Sequence, residues 1–168
     1  GNIMQCNLDQ LGAPEFSKEE HLYAKKYQDT LTRKDIESAY SHAGIDIVEG
    51  QVLAETVVAG DVKPVDMGGS TDVADVSWVV PTVSLWGANY AIGTPFHSWQ
   101  MTAQGKSSTA IKGMTHAAMV MAATGSDLIS NKTILDDAWS EHNKKIEKEG
   151  YMLPISLSAS PPIKDMAP

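Results

Sequence analysis

The chain holds a single cysteine, Cys6, so it can form neither an internal disulfide nor a thiolate metal cluster. A lone free cysteine is expected to sit partly buried as a small apolar side chain. Basic residues are scarce: 13 Lys and Arg stand against 21 Asp and Glu, giving a formal charge of −8 and a pI near 5.0. That balance excludes a phosphate-tracking nucleic-acid binder, which needs a basic stripe, but does not exclude a local pocket for a small anion. No apolar run reaches the 18 residues of a membrane span, and no membrane association is expected. The opening GNIMQCNLDQ carries neither the basic nor the apolar region of a secretion signal, so a cytoplasmic address is expected. Two catalytic patterns are missing as well. Ser70 has no nucleophile elbow around it, and Gly105-Lys106 lacks the spaced glycines of a phosphate-binding loop. Lys106 is therefore read as a solvated charge.

What remains is an ordinary globular composition, 42% hydrophobic and 20% charged over 168 residues, within the range of one domain. Ile3, Met4, Leu8 and Leu11 fall at helical spacing, and Gly12-Ala13-Pro14 ends that element. Ser17 and Glu20 have the form of a capping box, which predicts a helix to about Gln28 with Leu22, Tyr23 and Tyr27 partly buried. Between 30 and 64 the pattern is mixed: DIESAYSHAG reads as a short helix, and glycines 44, 50 and 60 interrupt an irregular alternation. Gly68-Gly69 predicts a turn, with Ser70, Thr71 or Asp72 capping a short helix through Trp78. TVSLWG, after Pro81, is expected as a buried strand. Ser107 or Ser108 opens the clearest helix, with Ala110, Ile111, Met114, Ala117, Ala118 and Met121 in one stripe and Gly125 as its stop. Such a stripe of small residues and methionine is expected to lie close against a sheet. A second amphipathic helix is predicted from about Ile134 to Lys148, through Leu135, Ala138, Trp139 and Ile146. The strands number two or three, fewer than the ~4–6 of an ordinary sheet. The expectation is part of a larger α/β domain.

The segment from Gly68 to Lys112 carries the candidate chemistry. Trp78, Trp86, Phe96 and Trp99 crowd around a lone histidine, His97, as an apolar wall around a few polar groups would. Imidazole is a good ligand for zinc or manganese, although a histidine packed in an aromatic corner needs no metal. Asp72 and Asp75 lie one helical turn apart. Asp72, with Ser70 and Thr71, reads either as pocket wall or as an ordinary helix cap, and Asp75 as a first-turn carboxylate favoured by the helix dipole. Gly93, Thr94 and Pro95 would set the backbone ahead of His97, with or without a ligand nearby. His116, inside the small-residue helix, is expected to pack or to bond to backbone; His21, His42 and His142 are expected at the surface.

The ordered series GSTDVADVSWVVPT, GTPFHSWQ, AQGKSS, KGM and HAA resembles the dinuclear metallopeptidase and amidohydrolase family that includes carboxypeptidase G and aminoacylase. Within that family it is most similar to the aminobenzoyl-glutamate branch. NLDQLGAPEFSKEE and YMLPISLSASPP resemble, more weakly, the family's segments after its lid domain and at its end.

The resemblance implies a C-terminal part of a mixed-sheet catalytic domain spanning residues 1–168. The lid and dimerisation domain, and the half bearing most metal ligands, would be absent. It implies His97 as the last ligand of a two-metal centre of zinc or manganese. Ser70, Thr71, Asp72, Gly93 and Thr94 would line the substrate. The implied reaction is hydrolysis of an amide in an N-acyl amino acid or dipeptide-like substrate of aminobenzoyl-glutamate type. The partners implied are the remainder of the catalytic domain and a second copy in a homo-oligomer. The family's H-x-D motif and Glu-Glu pair lie upstream of its lid domain, a part that the resemblance places outside residues 1–168, so no residue is expected to act as catalytic base and the chain alone is expected to be inactive. The alternative is a non-catalytic truncated relative serving as scaffold or interaction module.

Overall fold

A computed structural model describes residues 1–62, 71–151 and 155–163. Its elements are α1 (Asn2–Leu11), α2 (Lys18–Gln28), α3 (Arg33–Ala43), α4 (Val73–Val79), α5 (Trp99–Gln104), α6 (Ser108–Ser130) and α7 (Lys132–Glu149). Among the described residues there is no strand, and the expected mixed α/β sheet is overturned: the architecture is all-helical. The strand expected at 82–87 is irregular and has no ladder partner among the described residues, and Val83 and Trp86 stand open to solvent. The segments around 52 and 92 come nearest to a ladder, joined by one backbone bond from Ile92 N–H to the Val52 carbonyl at 2.8 Å. One bond fixes two chains side by side; a sheet needs repeated pairs along both.

Local signals explain most helix starts. In α2 the Ser17 hydroxyl accepts from Glu20 N–H while the Glu20 carboxylate accepts from Ser17 N–H. α3 repeats the device with Thr32 and Asp35, and ends at Gly44 in the left-handed conformation. α6 opens on Ser107, whose hydroxyl accepts from Ala110 N–H. It passes through Gly125 and continues to Ser130, because a helical glycine weakens but does not end a helix that can keep its backbone bonds. α7 begins at Lys132, two residues ahead of the expected Ile134, on an Asn131 cap.

The interior is divided. Ala24, Val52, Leu53 and Ala91 form one small core, with Phe16 and Tyr27 packed on it. Gln28, itself buried, donates to the Gln51 and Ile92 carbonyls and so ties α2 to both extended segments. Elsewhere α1 lies along α6. Asn7 is buried there and donates to Thr124 Oγ1 and to the Asp127 carboxylate, the latter at 2.7 Å. His116 meets the Gly12 carbonyl at 2.6 Å, the backbone bond expected of it.

The buried side of α6 is Thr109, Ala110, Gly113, Val120 and Thr124. The stripe expected to lie against a sheet points the other way in large part: Ile111, Met114 and Met121 are 52%, 60% and 60% exposed. The correction has a steric cause. Gly113 lets the Ala88 backbone cross α6 so closely that a β-carbon there would lie 2.4 Å from the Ala88 oxygen. The small residues thus admit a chain crossing, and the larger methionines are left outside. Two smaller expectations also fail: Cys6 is exposed and Leu22 is 66% exposed. The second amphipathic helix forms, as α7, with none of its residues buried.

Candidate functional site

His97 stands on a short connection between the extended segment ending near Ile92 and α5. A single buried side chain holds that connection in shape. Gln104, 1% exposed, accepts from Ala91 N–H at 2.9 Å and donates to Thr94 Oγ1 at 3.1 Å. Thr94 in turn donates its hydroxyl to the Ala91 carbonyl at 2.7 Å, closing a small ring of bonds. Gly93 takes φ +92°, and a β-carbon there would come within 3.0 Å of the Ile36 backbone. Glycine is required at that point both by conformation and by space. Beyond the histidine, Ser98 accepts from Met101 N–H to start α5 and donates to the Pro95 carbonyl. The loop is therefore clamped on both sides of His97.

His97 has φ 59°, and among the described residues no other non-glycine residue has positive φ. Left-handed backbone costs an ordinary side chain energy, so it persists only where neighbours impose it, and it gathers at ligand-handling sites. The His97 side chain is exposed beside Phe96, whose ring lies 5.8 Å from that of Trp86 at 52°. The single aromatic wall expected from the sequence does not form. Trp86 pairs with Phe96, Trp99 with Tyr27 and Trp78 with Tyr151, in three separate contacts. Trp86, Phe96 and Trp99 are each more than half exposed.

The other predicted site residues are arranged as follows. Thr71 Oγ1 accepts from Val73 N–H, and Asp72 stands at the start of α4 without a side-chain cap bond. Asp75 accepts from the Tyr151 hydroxyl at 3.0 Å, and that bond pushes the tyrosine's pKa up. Ser70 lies outside the described residues. Gly93 and Thr94 are in the His97 loop itself. Among the described residues, no group of three or more His, Cys, Asp or Glu side chains is placed to hold a metal ion. One imidazole is a single donor, whereas a catalytic zinc takes about three protein ligands. The chain's described residues by themselves do not fit a two-metal centre.

Two features escaped the sequence reading. Gln104 gives no signal, because nothing in AQGKSS distinguishes a buried, doubly bonded amide from a surface one. The sequence marks Glu20 as a capping residue only. Its carboxylate, 7% exposed, also meets Lys112 at 2.7 Å across 92 positions of sequence. Burial works against that charge, but bonds from Lys112, the Ser17 N–H and Ser108 outweigh it and hold the Glu20 pKa down to about 2. Lys112 also donates to the Glu15 carbonyl and lies 5.9 Å from the Phe16 ring centre. This link pins the first turns of α6 to α2.

Comparison with curated proteins finds a subunit of the p-aminobenzoyl-glutamate hydrolase of Escherichia coli (strain K12), 37% identical over 97% of this chain. The chain spans 36% of the length of that protein. The resemblance read from residues 68–112 is thereby extended to nearly the whole chain, and is consistent with a C-terminal portion of that family. No protein-family model and no solved structure matches the chain. Among the described residues, no helix is long and apolar enough to cross a membrane.

Proposed function

We propose, from its kinship with the p-aminobenzoyl-glutamate hydrolase of Escherichia coli, that the chain is the His97-bearing part of an amide hydrolase. Its substrate class is an N-acyl amino acid of the aminobenzoyl-glutamate type. The observation that carries this reading is the 37% identity over 97% of the chain. The clamped loop, with an exposed imidazole on strained backbone, supports His97 as the residue that meets the reacting centre.

In this reading the intact site uses two divalent ions, zinc or manganese, and His97 contributes one ligand. The other ligands and the group that moves the proton belong to polypeptide outside this sequence, since the described residues do not gather a ligand set. The work of this chain's own residues is positional. Gln104, Thr94 and Gly93 hold the loop, Ser98 closes it, and the Thr71–Asp72 turn offers polar groups to substrate. Alone, the chain does not hydrolyse its substrate.

The test is a chimera in which this sequence replaces the matching part of the Escherichia coli protein. It should release 4-aminobenzoate from p-aminobenzoyl-glutamate, and His97→Ala should abolish that release while leaving the fold intact. A folded chimera that works equally well with His97→Ala would overturn the proposal. A folded, inactive chimera would favour a non-catalytic scaffold.

A further inference from the structure

The outer face of α6 is built as an interior surface, and among the described residues it lies open to solvent. Ile111, Met114, Ala118, Met121, Gly125 and Ile129 share that face at helical spacing, turned away from the buried side of α6. Ile129 is 88% exposed, and a β-carbon on Gly125 would meet open space. The two ionised side chains of α6, Lys112 and Asp127, are engaged by Glu20 and Asn7 elsewhere, so the outer face carries no charge. A helix with one face of small residues buried and one face of methionine and isoleucine exposed has a large apolar side still to be covered.

The relative found above is long enough to supply the cover, since this chain accounts for 36% of it.

We infer that the outer face of α6 is an intramolecular packing surface, and that its occupant is apolar polypeptide from the part of a relative-length chain lying outside this sequence. The inference rests on the same kinship as the proposed function, but it concerns assembly and not hydrolysis.

The experiment reads thiol reactivity, in a Cys6→Ser background, at Ala118→Cys on the outer face and at Leu22→Cys on α2 as reference. Both should react rapidly in the isolated chain. In the chimera, Ala118→Cys should be protected at least a hundredfold while Leu22→Cys stays reactive. Equal reactivity at position 118 in the isolated chain and the chimera would overturn the inference. So would protection already present in the isolated chain, which would assign the face to a second copy. A second readout uses Ala118→Glu, which should leave the thermal midpoint of the isolated chain unchanged and lower that of the chimera; the opposite order would also overturn it. Because neither readout needs turnover, a protected but inactive chimera would remove the proposed function and leave the surface standing.

Discussion

Breaking the Glu20–Lys112 pair should cost more from one side than from the other. Glu20 is 7% exposed and Lys112 is 44% exposed. Removing the lysine leaves a carboxylate desolvated with only the Ser17 and Ser108 bonds, whereas removing the charge of the glutamate leaves a lysine that can reach water. A carboxyl shifted from 4.5 to about 2 carries at most about 3 kcal/mol of stability at neutral pH. Screening at the half-exposed lysine reduces the share of the pair to roughly 1–2 kcal/mol.

Lys112→Met keeps the aliphatic stem over Phe16 and should lose about 2 kcal/mol in urea unfolding at pH 7. Glu20→Gln can still accept from Ser17 N–H and should lose about 1 kcal/mol. The acid limb supplies a second reading. Because the folded-state pKa is depressed, this stabilisation is complete above 4.5 and is lost as pH falls from 4.5 toward 2. Glu20→Gln should flatten that part of the profile, leaving the contributions of Glu19, Asp35 and Glu49, whose pKa values are also lowered. A larger loss for Glu20→Gln than for Lys112→Met, or an unchanged acid limb, would refute the reasoning.

Three further substitutions probe the frame around the site. Gly113→Ala should cost about 3 kcal/mol and shift the signals of residues near 88, since its β-carbon would strike backbone; wild-type unfolding would contradict the crossing at Ala88. Gln104→Leu should cost about 1–3 kcal/mol and increase amide exchange at Ala91 and Thr94, because the polar partners it deserts are buried. Unchanged exchange there would show that the loop is held otherwise. Thr109→Val should be neutral or stabilise by about 1 kcal/mol, as the Thr109 hydroxyl is buried with no hydrogen-bond partner among the described residues; a clear loss would mean that the hydroxyl has one.

Helix starts were legible in the sequence because a cap is a local event: Ser17 with Glu20, and Ser107 ahead of α6, place their own bonds within one turn. The Thr32–Asp35 box was equally local, yet the polar stretch around it hid the start of α3. Which face of α6 packs was not legible. Hydrophobic periodicity identifies the apolar side and assumes that it is covered, while here Gly113 and Thr109 take the buried side because another backbone crosses there. The strand expected at 82–87 failed for a related reason. Its apolar composition is real, but a strand exists only with a partner, and the described residues supply none. At the site, His97 was singled out by its motif, and the structure adds a left-handed backbone that no pattern of letters announces. Gln104, which shapes the loop, was invisible because its partners are defined only by the fold.

His97 is proposed as one ligand of a set that this chain does not complete. Calorimetric titration of the isolated chain with zinc, then with manganese, tests that most directly. The prediction is weak binding in the millimolar range, as for a single imidazole, with no stoichiometric site. A micromolar, stoichiometric site that disappears in His97→Ala would contradict it, and would show that the chain carries a complete metal centre of its own.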